Sequence, residues 1–169
     1  MRSPLRLVAA ALLVALPAFS QATAPTASAT AVIRANIQVP ISITKMSDLN
    51  FGTMIATPVA GAVTVDPLGV RTAAGGVVLA NTSVFGVSAA GFQVNGEANT
   101  TFSVILPASA QMTFGAYAMT VDTFVTDGAP YKLSVNGGQH LSVGATMYVG
   151  ANQVPGLYSG SFTVTVAYN

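Results

Sequence analysis

The chain has 169 residues, 51% of them hydrophobic and only 7% charged, with no cysteine, no tryptophan and a formal net charge of +1. So little charge, with no basic run, excludes the electrostatic footprint of a protein that binds nucleic acid or anionic lipid. The lack of cysteine excludes disulfides, thiol nucleophiles and thiolate metal sites, so core burial and backbone hydrogen bonds must hold the fold.

Arg2 and Arg6 precede an apolar run over residues 7–19, and small residues follow at Ser20, Ala22 and Ala24. This pattern predicts a secretory signal peptide over residues 1–22, with cleavage as late as residue 24. The run is shorter than the ~18 residues a bilayer-spanning helix needs, and no later segment is long and apolar enough. The expectation is therefore export through the Sec pathway to the periplasm, cell surface or exterior, with no membrane span after cleavage. Without Arg2 and Arg6, residues 23–169 carry four basic and five acidic side chains, a net charge of −1, over a length that suits one domain.

Ala27, Ala29, Ala31, Ile33, Ala35 and Ile37 fall at alternate positions, the period of a strand with one apolar face. Pro40 has no N–H for a ladder and predicts a break or an edge, so residues 25–37 read as a strand extension of the domain. The alternation resumes at residues 41–44; a loop is expected at 45–48 and a short strand at 49–53. Residues 62–66 alternate and stop at Pro67, and Gly75-Gly76 reads as a breaker before the apolar run 77–80. Strands are expected at 91–96, with Phe92 and Val94 inward, and at 101–106, with Phe102, Val104 and Leu106 inward. The short turn between them predicts a hairpin. Two further strands fall at 112–114 and 117–125, the second with Tyr117, Met119 and Val121 on one face. Asn136-Gly-Gly138 is the strongest hairpin turn in the chain, joining residues 131–135 to short strands at 141–143 and 147–149.

At the C-terminus Phe162, Val164, Val166 and Tyr168 alternate with Ser161, Thr163, Thr165 and Ala167. Full burial stabilises by roughly 1.5–3 kcal/mol per Phe or Val side chain, so this end of the chain is expected to be a fixed core strand. Ten to twelve short strands with no helical period predict an all-β fold, an immunoglobulin-like or pilin-like antiparallel β-sandwich. A transmembrane barrel would call for aromatic girdles, against which the chain offers no Trp and five Tyr.

Reactive groups are sparse. His140 is the single histidine and follows a turn, which reads as a solvated residue rather than a general base. Of Asp48, Asp66, Glu97, Asp122 and Asp127, all but Asp122 fall in or beside predicted loops, so no carboxylate pair for glycoside hydrolysis is expected. Glu97 alone makes a poor calcium site. The stretch from Gly86 to Gly91 misses the nucleophile-elbow spacing by one place. The sequence thus predicts a protein that is not an enzyme and uses no cofactor or metal.

Four stretches carry a resemblance: Ile43-Thr-Lys-Met-Ser-Asp-Leu-Asn-Phe-Gly-Thr53, Val143-Gly-Ala145, Val149-Gly-Ala-Asn-Gln153 and Gly156-Leu-Tyr-Ser-Gly-Ser-Phe-Thr-Val-Thr-Val-Ala-Tyr168. Through them the chain resembles a family of bacterial secreted proteins grouped as a domain of unknown function, number 4402, which implies no activity. More loosely it is similar to pilin-like subunits assembled by periplasmic chaperones and ushers, in that Gly156 is fourteenth from the end and Tyr168 is penultimate. That likeness implies a sandwich lacking one strand, which the next subunit supplies. Ala27, Ala29, Ala31, Ile33, Ala35 and Ile37 would be the donated face, and Gly156, Phe162, Val164, Val166 and Tyr168 the acceptor. The partners implied are a second copy, by strand exchange, and a periplasmic chaperone; pairing of the extension within its own domain is the other arrangement. The function expected is that of a non-enzymatic envelope or cell-surface structural protein, a fimbria-like subunit. The alternative is a self-contained secreted module binding carbohydrate or a surface ligand through Tyr117, Tyr131, Tyr148 and Tyr158.

Overall fold

A computed structural model describes residues 25–81 and 85–169; the expected signal peptide lies outside them. The chain divides into two units, Met1–Asn36 and Ile37–Asn169. In the first, residues 25–36 form no strand and are exposed throughout. This corrects the expected strand. Alternation supplies a face, but a strand also needs a neighbour to take its N–H and C=O groups, and none among the described residues does so.

The second unit is all-β and antiparallel. Its strands are β1 (Ser42–Ser47), β2 (Met54–Val65), β3 (Arg71–Leu79), β4 (Ala90–Asn95), β5 (Phe102–Ile105), β6 (Ser109–Phe114), β7 (Tyr117–Thr126), β8 (Gly138–Val149), β9 (Ser159–Gly160) and β10 (Thr165–Tyr168). The large sheet runs β1-β4-β8-β7-β6-β9, with β2 joined to β8 and β3 to β2, while β5 and β10 pair as a separate small sheet. The spine is β8, whose Leu141, Val143, Ala145, Met147 and Val149 are all buried on one face, the period of two made visible. Its residues 138–143 bond to β4 and residues 145–149 to β2.

Two apolar clusters follow from this division. In one, Val94, Leu141 and Val143 of the large sheet meet Phe102 of the small sheet, together with Leu133 and Val164, which is sheet packed on sheet. In the other, Val63, Val65, Val77, Met119, Val121, Met147 and Val149 line the inside of the curled large sheet with Phe51. Here loops rather than a second sheet cover the core, through Leu49, Val87 and Tyr158. A slip in the β7–β8 register between Asp122 and Val125, with Thr123 at φ 51°, bends β7 and aims Phe124 at the join, where it packs on both clusters.

Several local expectations shift. The loop expected at 45–48 is β1 as far as Ser47, with an irregular register between Lys45 and Ser47, and the strand expected at 49–53 makes one bridge, Asn50 to Ser88. Gly75-Gly76 lies inside β3, and residues 141–149 run unbroken within β8. No β4–β5 hairpin forms: β4 pairs with β1 and β8, and β5 with β10. The Asn136 turn does close, Gly137 N–H donating to Ser134 at 2.9 Å, but the segment before it contributes only the Thr101–Lys132 bridge. The C-terminal stretch is two short strands parted by residues 161–164, yet its alternation holds: Phe162, Val164, Val166 and Tyr168 turn inward while the residues between them are exposed.

Candidate functional site

β10 is bonded to β5 along one edge, and β9 to β6 along one edge. Residues 161–164 join no ladder on either side among the described residues. Across from this C-terminal segment β1 closes its end of the large sheet, paired only with β4. Val39, just ahead of β1, lies at Tyr168, and Phe92, opposite Lys45 in the β1–β4 ladder, meets Phe162 at 6.3 Å between ring centres. The two segments therefore run antiparallel, and each carries a backbone edge that joins no ladder among the described residues, the kind of edge that can take an added strand.

Beside Phe162 the surface opens into a trough. A cavity of about 550 Å³ is walled by Leu49, Phe92, Met112, Val121, Phe124 and Phe162, among others. A second, of about 610 Å³, continues past Leu49, Phe51 and Tyr158 to Met54, Met119, Met147 and Val154. Leu49, Phe51, Met112, Leu157 and Tyr158 line both, so the two are one trough. Phe124 and Phe162 stand 4.8 Å apart at its floor. No polar or charged side chain is buried among the described residues. The trough offers mostly apolar surface, with Lys45, Asp48, Asn50 and Gln111 among the residues at the first cavity.

Two glycines shape the walls. A Cβ on Gly156 would meet the ring of Phe114, which itself packs on Tyr158 at 5.7 Å, so the bare backbone lets residues 154–158 lie flat. A Cβ on Gly96 would meet the Tyr168 hydroxyl. That hydroxyl accepts from the Glu97 N–H at 2.6 Å and donates to the Val39 carbonyl at 2.7 Å, and the Val39 N–H donates to Glu97 Oε2 at 3.1 Å. The penultimate residue thus fixes the root of the N-terminal extension.

Sequence reasoning missed Arg71. Its guanidinium donates to the carbonyls of Phe51 at 2.9 Å, Thr53 at 3.0 Å and Ala80 at 2.9 Å, strapping the trough wall to the end of β3. A cation whose partners among the described residues are all backbone oxygens leaves no mark in the sequence. The lining residues Leu49, Phe51, Phe92, Met112 and Phe124 were also missed as a group, since they come from four separate segments.

Of the expected acceptor residues, Phe162, Val164, Val166 and Tyr168 come together on one core cluster, where Phe162 alone of the four also lines the first cavity, and Gly156 lines the second. Ala27, Ala29, Ala31, Ile33, Ala35 and Ile37 are exposed, Ile33 and Ile37 at 95% each. His140 is exposed on β8 opposite Gln93. The acids lie apart: Asp48 pairs with Lys45 at 2.6 Å, Asp66 caps its own turn through the Leu68 and Val70 N–H groups, and Asp122 accepts from Thr123. No group of three or more His, Cys, Asp or Glu gathers among the described residues. Of the four tyrosines, Tyr158 bonds to Val154 and Gln153, Tyr131 to Thr126, and Tyr117 and Tyr148 are exposed.

A family model described as Domain of unknown function (DUF4402) matches residues 41–168. The chain belongs to the DUF4402 family. The DUF4402 match runs from the residue after Pro40 to Tyr168, and so takes in both walls of the trough and all ten strands. Comparison with curated proteins and with solved structures gives no match.

Proposed function

We propose that this DUF4402 chain is a non-enzymatic structural subunit of the bacterial envelope or cell surface, exported through the Sec pathway, and that its subunits join by strand donation. The observation that carries this reading is that the chain combines unbonded strand edges at β1 and β10 and a largely apolar trough with an exposed extension of alternating apolar residues. An added strand along such an edge would take up its free N–H and C=O groups and cover the apolar lining of the trough. A periplasmic chaperone covering the same edges before assembly fits this reading.

Deleting residues 25–37 leaves both apolar clusters intact. The shortened protein is expected to fold as a monomer while the processed chain forms elongated polymers, as read by light scattering and electron microscopy. Fibres from the shortened protein would mean that the extension is not the donor. The size of the trough, with a second cavity of about 610 Å³, favours one alternative, a self-contained secreted binding module. That reading predicts a monomer at every concentration and saturable uptake of a small ligand.

A further inference from the structure

From the lining of the trough we infer a ligand: the protein holds one fatty acid, its alkyl chain in the second cavity and its carboxylate at Lys45. This names a ligand for the second reading above and does not require that subunits join.

Size is the first argument. Protein interiors pack densely, with few voids larger than a water molecule, yet cavities of about 550 and 610 Å³ lie against the cluster that holds Phe51, Met119 and Met147. Each falls in the range of roughly 300–1,000 Å³ that houses small-molecule ligands. Because Leu49, Phe51, Met112, Leu157 and Tyr158 border both, one extended ligand can run from the first into the second.

The two cavities differ in chemistry, and the difference selects the ligand. The second is bordered by Met54, Met112, Met119 and Met147, four of the six methionines in the chain. An unbranched thioether with three rotatable bonds moulds itself to a flexible apolar partner. Three of the polar side chains there are spent within the protein: Asn50 donates to Ser88 Oγ at 3.1 Å, Gln153 donates to the Tyr158 hydroxyl at 2.8 Å, and that hydroxyl donates to the Val154 carbonyl at 2.9 Å. A sugar would give up its hydrogen bonds to water there and regain few, whereas an alkyl chain has none to lose. The first cavity is bordered also by Lys45 and Asp48, neither of which borders the second. Lys45 Nζ lies 2.6 Å from Asp48 in a pair whose side chains are 61% and 67% exposed. Such a pair is weak in water, and an ammonium with three donors can serve a second carboxylate beside the first. A long apolar end and a single cation at the other end fit a one-chain acid.

The test titrates the processed chain with octanoate, decanoate and dodecanoate, each below its micellar concentration, by isothermal titration calorimetry. One acid per chain is expected, with Kd falling roughly three- to fourfold for each methylene added, the gain from taking one CH₂ out of water. Leu157 borders both cavities and is 65% exposed, so Leu157→Asp puts a charge on the wall without entering the core. It should weaken dodecanoate about tenfold or more, with circular dichroism confirming the fold. Lys45→Gln should weaken dodecanoate about two- to fivefold and leave uncharged dodecanol unchanged. A Kd independent of chain length, no binding of any acid, or many acids per chain that Leu157→Asp does not disturb would overturn the inference. Equal effects of Lys45→Gln on acid and alcohol would overturn the placement of the carboxylate. Light scattering reads the assembly state separately, so failure of this ligand is distinguishable from failure of the self-contained-module reading.

Discussion

Replacing Tyr168 with Phe removes one oxygen and keeps the ring in place. In the protein that oxygen takes the Glu97 N–H at 2.6 Å and gives its proton to the Val39 carbonyl at 2.7 Å. Each such bond contributes about 1 kcal/mol net, and Tyr168 is half-buried, so water recovers part of the loss and a cost of about 1–2 kcal/mol is expected. For a body of this size that corresponds to a fall in Tm of roughly 3–8 °C, measurable by calorimetry. A double-mutant cycle isolates the cause. Gly96→Ala brings a methyl group onto the Tyr168 hydroxyl, with Leu133 Cδ1 at 3.1 Å, and should destabilise the protein by more than Tyr168→Phe does. In the Tyr168→Phe background the same Gly96→Ala change meets no hydroxyl and should cost markedly less. Strict additivity of the two changes, or a Tm for Tyr168→Phe within one degree or so of the parent, would refute the claim that this hydroxyl pins the root of the extension.

Other outcomes follow from the same structure. Arg71→Leu deletes three charge-assisted bonds to the carbonyls of Phe51, Thr53 and Ala80 and should lower stability by about 2–4 kcal/mol in urea titrations; Arg71→Lys should recover little, because an ammonium lacks the planar fork that spans several oxygens. Leu133, 1% exposed in the cluster between the two sheets, should cost about 2–5 kcal/mol on truncation to Ala, with a loss under 1 kcal/mol arguing against that core. His140→Ala, at an exposed site on β8, should shift stability by no more than about 0.5 kcal/mol and leave assembly unchanged.

What the sequence made legible was whatever depends on near neighbours. The alternation of Phe162, Val164, Val166 and Tyr168 sets their facing because successive side chains on an extended backbone point to opposite sides, and that survived even where the ladder lapses at residues 161–164. What stayed hidden depends on distant partners. Gly75-Gly76 looked like a breaker, yet it sits within β3, where the β2–β3 register slips and no side chain would fit beside the neighbouring backbone. The expected hairpin after β4 fails because Gly96 makes room for Tyr168, 72 residues further along the chain, and the chain passes to the other sheet. Residues 25–36 carry the same alternation as the C-terminus without the ladder that would make them a strand. The trough itself gathers side chains from segments with no common pattern, so no single stretch of sequence announced it.

The most direct test of strand addition is to restore the missing strand as a separate molecule. A synthetic peptide of residues 25–38 added to protein lacking residues 25–37 should bind one to one and, at a hundredfold excess over Kd, stabilise the body by about 2.7 kcal/mol. The same peptide carrying Ile33→Asp and Ile37→Asp should do neither. Equal stabilisation by both peptides, or none by the first, would contradict strand donation by this chain's own extension.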